Sequence, residues 1–246
     1  MARPLQGERS RILLLGDSIT QQAFSLEHSG WGAGLADWYC RTADVTNRGF
    51  SGYNSRWVLD MMPQLLPRVD PTLLFATIFF GANDAVTEGG VQHVPRDEFA
   101  LNLRAMVAHI KARAPQCVII LISPPTVDTG RWPTRTPEAA SIYAEAVHQV
   151  VHGNATNAAI PNVALVDLTS LTTADLHDGL HLNASGNAKL LALLQGLLRS
   201  EFSHLCPPTE GEGGESVALP LHYPPCKSFF DGDAQQALES IRNWRW

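Results

Sequence analysis

Apolar residues gather in short uninterrupted runs along this chain: ILLL at 12–15, LLFATIFF at 73–80, CVIILI at 117–122 and VALVDL at 163–168, with a weaker run, ADVTN, at 43–47. Turn-forming residues bound these runs, so each reads as a β-strand. Between and after them, apolar positions recur at helical spacing over 32–41, 55–66, 96–113, 137–152 and 184–202. The order is therefore βα repeated five times. Strands that are apolar almost throughout need cover on both faces, which predicts a parallel sheet between two helical layers. The expected fold is a three-layer α/β/α sandwich whose five-stranded parallel sheet has the flavodoxin-like order 2-1-3-4-5. In that order the topological switch point lies between strands 1 and 3, and ligands bind outside the carboxyl ends of the strands there.

The pattern changes after Phe202. PPTEGEGGES at 207–216 is rich in Pro, Gly and Glu and reads as a linker. The chain thus divides into an α/β domain over 1–203 and a linker and tail over 204–246. Leu219, Leu221, Tyr223, Phe229, Phe230, Trp244 and Trp246 give the tail enough apolar surface to dock on the body or on a partner. Eighteen Lys and Arg against 24 Asp and Glu leave a formal charge of −6, which removes the electrostatic basis for binding nucleic acid. No apolar run approaches the roughly 18 residues of a spanning helix, so no membrane span is expected. The ILLL run behind Arg3, Arg9 and Arg11 is shorter than the roughly 7–15 residue core of a signal peptide, so a cytoplasmic protein is expected. Four cysteines lack CxxC spacing, so neither a zinc site nor a disulfide framework is indicated; Cys206 and Cys226 are expected as free thiols, with pairing across the tail as the alternative.

Three polar, Gly-bearing turns leave the strands at the predicted switch point: Gly16-Asp17-Ser18-Ile19-Thr20, Asn47-Arg48-Gly49-Phe50-Ser51-Gly52 and Gly81-Ala82-Asn83-Asp84. A serine at a strand-to-helix turn can expose its hydroxyl beside the N–H groups of a new helix, which suits a nucleophile, although Ser18 also suits a plain helix cap. Its base would come from Asp-Leu-His-Asp-Gly-Leu-His-Leu-Asn at 175–183. His177 and His181 have the i, i+4 spacing of a helical metal pair, but Gly179 between them favours a loop and no third ligand follows, so no metal is expected. In a loop, Asp178 can accept the His181 Nδ1–H and leave Nε2 to take the Ser18 proton, with His177 a solvated neighbour. The Ser18 N–H, the Gly52 N–H and the Asn83 side-chain amide are candidate donors to an oxyanion. Each is also ordinary turn chemistry taken singly; the four loops together are not.

Gly16-Asp17-Ser18-Ile19, Gly52, Gly81-x-Asn83-Asp84 and Asp178-x-x-His181 together resemble the SGNH (GDSL) hydrolase superfamily. GDSITQQ at 16–22, GWGAGLADWY at 30–39, NRGFSGYNSRW at 47–57, TIFFGANDA at 77–85, QHVPRDEF at 92–99 and HDGLHL at 177–182 resemble its isoamyl acetate-hydrolysing esterase branch. The likeness covers about residues 11–200. It implies a flavodoxin-like hydrolase domain and a metal-independent carboxylester hydrolase in which Ser18 is nucleophile, His181 base and Asp178 its orienter. Ser18, Gly52 and Asn83 would be the oxyanion donors. The segment 125–136 is short and the linker 207–216 has no counterpart, so the alcohol or acyl pocket is left open. Trp31, Phe50, Tyr53, Trp57 and His93 are candidates to line it or simply to pack, and Arg56 is placed to pair with Asp84 or Asp17.

The expected reaction is two-step acyl transfer on a small-molecule ester, with no cofactor and a preference for short acyl groups. Thioesters, acetylated carbohydrates and lysophospholipids are alternative substrates for the same site. A reading from another class is a flavodoxin-like module that holds a phosphate or flavin at Ser18 and Thr20 without turnover. A phosphate site would not require Asp178-x-x-His181, and the first loop has one glycine in place of a Gly-rich cradle.

Overall fold

The computed structural model describes residues 9–153 and 157–208. Five strands form one parallel sheet: β1 (Ser10–Gly16), β2 (Ala43–Gly49), β3 (Leu73–Phe79), β4 (Val118–Ile122) and β5 (Val163–Val166). Their order is β2-β1-β3-β4-β5, as expected. The helices are α1 (Ser18–Gln21), α2 (Trp31–Trp38), α3 (Ser55–Leu65), α4 (Arg96–Arg113), α5 (Pro137–His152) and α6 (Ala184–Glu201).

Alternation along the central strands divides the interior into two cores. Leu13 and Leu15 of β1 and Ile119 and Leu121 of β4 face α3, α4 and α5, where Met62, Leu103 and Val147 meet them. Ile12 and Leu14, with Ile120 and Ile122, face α1, α2 and α6, against Ile19, Leu35 and Leu194. The central strands are thus largely buried on both faces, while the edge strands are less covered: β5 is fully buried only at alternate positions, and in β2, at the opposite edge, only Ala43 is fully buried. That edge position explains why β2 gives the weakest apolar run.

Register is what assembles the site. Gly16 lies level with Gly49 on one side and with Phe79 on the other, so β1, β2 and β3 end together. Their loops consequently leave from one height at the carboxyl edge of the sheet. The Phe50 N–H donates to the Gly16 carbonyl at 2.9 Å, and Asn47 Nδ2 to the Thr20 carbonyl at 2.8 Å, tying the second loop to the first. No described helix is long and apolar enough to cross a membrane. The tail aromatics, Cys226 and the linker from Thr209 onward lie outside the described residues.

Candidate active site

Ser18 is the first residue of α1, a single turn that begins directly where β1 ends. At that position the backbone N–H has no intrahelical acceptor. Asp17 caps the turn, its Oδ1 accepting the Ile19 N–H at 2.9 Å. The hairpin-like loop that carries Asp178 and His181 is closed by a bridge between Leu176 and Leu182 and by the His177 N–H donating to the His181 carbonyl at 2.9 Å. Gly179 at its tip has φ +86°, and a Cβ there would press on Asp128 and Arg131. The segment is a loop, as the glycine predicts.

Asp178 folds back on its own loop. Oδ1 accepts the N–H groups of Leu180 and His181 at 3.0 and 2.8 Å, while Oδ2 lies 2.7 Å from His181 Nδ1. Partial burial alone would raise its pKa, but the His181 backbone, the His181 ring and the Leu180 N–H outweigh that and hold it down at about 2. The carboxylate is therefore ionised at neutral pH, and the ring presents Nδ1–H to it. Across the ring, His181 Nε2 stands 2.8 Å from Ser18 Oγ. Hydroxyl, imidazole and carboxylate thus form one continuous hydrogen-bonded line.

Gly52 and Asn83 are brought together by a residue that sequence reading does not single out. Gln92 Nε2 donates to the Gly52 carbonyl at 2.7 Å and to Asn83 Oδ1 at 3.2 Å. Gly52 holds φ +79°, a left-handed conformation that disfavours any side chain there. Asn83 is buried, its Nδ2 donating one hydrogen to the Tyr53 carbonyl at 2.8 Å. Its Oδ1 also accepts from Arg135 Nη2 at 2.9 Å. Because a guanidinium only donates, that contact fixes which end of the amide is oxygen and which is nitrogen.

The remaining expectations divide. Tyr53 is partly exposed and sits in an aromatic group with Phe50 and Trp57 beside Gly52. His93 is turned into its own loop, its Nδ1 2.6 Å from the Val86 carbonyl. Trp31, the first residue of α2, is fully buried in the core and packs instead of facing solvent; its place at the first turn of an apolar helix accounts for that. Arg56 pairs with neither Asp84 nor Asp17. Its guanidinium engages both Glu98 carboxylate oxygens, Nε and Nη2 at 2.5 and 2.7 Å, because α3 and α4 run side by side and bring the two together. Asp84 instead accepts the N–H groups of Ser55 and Gly81 at 2.9 and 3.2 Å, bracing the second and third loops. Burial raises Asp84 to about 6; burial, reinforced by the neighbouring Asp84 charge, raises Asp17 to about 7.

His177 is exposed, as expected, and stacks between His28 and His181 with ring centroids 4.1 and 5.8 Å away. His177, Asp178 and His181 place ligand-type atoms within 4.8 Å of one another. The near-parallel rings of the two histidines, 23° apart, do not converge their in-plane lone pairs, and Nδ1 and Nε2 of His181 already face Asp178 and Ser18. Sequence reading also misses Trp132, whose Nε1 donates to the Asp178 carbonyl at 3.0 Å and whose ring stands nearly perpendicular to that of His181.

The chain is similar to known esterases and acylhydrolases. A GDSL esterase/lipase of Arabidopsis thaliana is 37% identical over 87% of this chain and 92% of its own length. The isoamyl acetate-hydrolyzing esterase 1 homolog of Bos taurus is 39% identical over 79% of this chain and 84% of its own. The solved lipase/acylhydrolase from Enterococcus faecalis matches with a TM-score of 0.60 at 25% identity, covering 77% of this chain and 95% of that one. The sequence profile described as the GDSL-like Lipase/Acylhydrolase family matches residues 14–189, the stretch that begins in β1 and runs past His181, and the chain belongs to that family.

Proposed function

We propose that the protein is a serine carboxylester hydrolase acting on short-chain, acetyl-type esters of small alcohols. The observation that carries this reading is the 2.8 Å approach of His181 Nε2 to Ser18 Oγ with Asp178 behind the ring. Ser18 Oγ attacks the ester carbonyl as His181 takes its proton, and the alcohol leaves with that proton. Water then attacks the acyl-enzyme with the same base, freeing the acid and restoring Ser18. Asp178, ionised at neutral pH, holds the tautomer and stabilises the imidazolium that forms in both steps. The Ser18 and Gly52 N–H groups and the free hydrogen of Asn83 Nδ2 are the proposed donors to the tetrahedral oxyanion. Every group in this scheme belongs to the chain itself.

The acetyl preference is supported by the names of two relatives, the isoamyl acetate-hydrolyzing esterase 1 homolog of Bos taurus and the isoamyl acetate-hydrolyzing esterase of Saccharomyces cerevisiae. Cys40 and Cys117, both free, support a reducing, cytoplasmic setting as part of the same proposal. The test is hydrolysis of p-nitrophenyl acetate, butyrate and octanoate by the natural chain, Ser18→Ala and His181→Ala, with fluorophosphonate labelling mapped by mass spectrometry. The expected result is label on Ser18 and a loss of at least about 10³-fold in kcat for each variant. Unchanged rates and an unlabelled Ser18 would remove the proposed triad. Higher kcat/KM on matched thioesters, acetylated sugars or lysophospholipids would move the substrate class while leaving the triad in place.

A further inference from the structure

We propose that Arg135, on the loop between β4 and α5, is the positioning residue of the oxyanion site and acts through Asn83. The inference rests on the reading of Ser18 as nucleophile and Asn83 as oxyanion donor. Arg135 is buried, and its guanidinium is surrounded by neutral acceptors: the Ala82 carbonyl at 3.0 Å, Asn83 Oδ1 at 2.9 Å, Gln92 Oε1 at 3.1 Å and Thr134 Oγ1 at 3.4 Å. None of these hydrogen-bond partners is a carboxylate. Asp17 acts on the guanidinium through space without a hydrogen bond, and burying a cation whose direct partners are all neutral costs free energy that packing alone does not require. Three of the four contacts go to the third site loop and to the Gln92 side chain that joins it to Gly52.

Two consequences follow from that geometry. A donor-only group at Oδ1 forbids the flipped amide, so Nδ2 is the end left to face an incoming carbonyl. A positive charge on the acceptor side also polarises the amide, making its remaining N–H a stronger donor as negative charge develops beyond it. Both effects are larger in the transition state than in the bound ester, so the residue governs kcat more than KM. The face of Trp132 lies 5.2 Å from the Arg135 guanidinium, and Trp132 in turn holds the Asp178 carbonyl. One loop thereby touches both the oxyanion half and the acid-base half of the site.

The test compares Arg135→Met, Arg135→Lys, Asn83→Ala and the Asn83→Ala/Arg135→Met double variant on p-nitrophenyl acetate, with affinity for an alkylboronic acid, which forms a tetrahedral serine adduct, read alongside. The expected result for Arg135→Met is a fall in kcat of about 10²-fold, the scale of one lost oxyanion donor, with KM changed by less than about threefold. Boronic acid affinity should fall in step, and the double variant should be no slower than Asn83→Ala alone. Arg135→Lys keeps the charge but not the fork, so it should lie between the natural chain and Arg135→Met; it carries the test if the Met variant does not fold. Additive losses in the double variant, a raised KM at constant kcat, or unchanged kinetics would each overturn the proposal. If Ser18→Ala were as active as the natural chain, the underlying triad would fail and this inference with it; a dead Ser18→Ala beside a fully active Arg135→Met would overturn the Arg135 role alone.

Discussion

Asp17 and Asp178 are both carboxylates at the edge of the same site, and their surroundings push them in opposite directions. Asp17 is fully enclosed and has one clear backbone donor, so burial dominates and raises it from 3.8 to about 7. A carboxyl that holds its proton more tightly in the folded state stabilises the fold below its unfolded value. That contribution is lost as pH rises from 3.8 through about 7. Asp17→Asn keeps an acceptor for the Ile19 N–H and removes the ionisation. Its urea midpoint, relative to the natural chain, should therefore increase between about pH 4 and pH 8, and a difference that is constant over that range would show that Asp17 does not titrate there. Asp178 is the reverse case, ionised at any working pH because three donors converge on it. In Asp178→Asn the amide no longer requires Nδ1–H, so His181 loses its preferred tautomer. The expected outcome is a fall in kcat of about 10²–10⁴-fold, together with a lower melting temperature at neutral pH that converges on the natural chain below about pH 4, measured by steady-state kinetics and thermal unfolding on the same preparation.

At the scale of elements, the loop that holds Asp178 and His181 is only as fixed as its anchor to α6. Asp175 supplies that anchor. Its buried carboxylate accepts from Lys189 Nζ at 2.7 and 2.9 Å, from Ser185 Oγ at 2.8 Å and from the Thr172 N–H at 3.0 Å. Lys189 chiefly, then the Thr172 N–H, holds Asp175 down at about 2. A depressed acid stabilises the folded state above its unfolded pKa, and the benefit disappears as pH falls from 3.8 through about 2. Asp175→Asn should accordingly melt lower than the natural chain at neutral pH, with the gap narrowing below about pH 4; an equal gap at both would reject the linkage. The helices themselves were legible from spacing alone: 96–113 and 137–152 coincide with α4 and α5 to the residue. Strand ends were less so. Ser10 and Arg11 are polar yet pair with β2, because backbone pairing continues past the last apolar side chain. Helix α1 escapes periodicity altogether, since four residues contain barely one turn. In the site, Ser18, Asp178 and His181 were readable because their types and local spacing state a chemistry. Arg135 and Gln92 were not, because their contacts to Asn83 and Gly52 span 52 and 40 residues and no local pattern encodes them. Arg56 shows the same limit, since its partner Glu98 is set by the packing of α3 on α4.

Over the whole molecule, the sheet separates the site from the point where the described chain ends. The loops that carry Ser18, Gly52 and Asn83 leave the carboxyl edge of the sheet, and α6 starts beside them with Asn183 as its cap. Eighteen residues of α6 then run antiparallel to the strands. Beyond its end, the Leu205 carbonyl accepts the Tyr39 hydroxyl at 2.8 Å, and Tyr39 closes α2 just before β2 begins at the amino edge. The described chain therefore ends at the pole opposite Ser18. Both cores, all five strands and every residue of the proposed triad and oxyanion site lie before that point. A chain ended after Pro208 should fold cooperatively and hydrolyse p-nitrophenyl acetate with kcat/KM within about threefold of the full chain, because the cores and the proposed site are built from residues that remain. Thermal unfolding and kinetics on the two lengths separate the ways this can fail. A lower melting temperature at constant kcat/KM would show that the tail docks on the body, as its aromatic residues suggest. A lower kcat/KM at constant stability would mean that it reaches around the sheet to the ester itself.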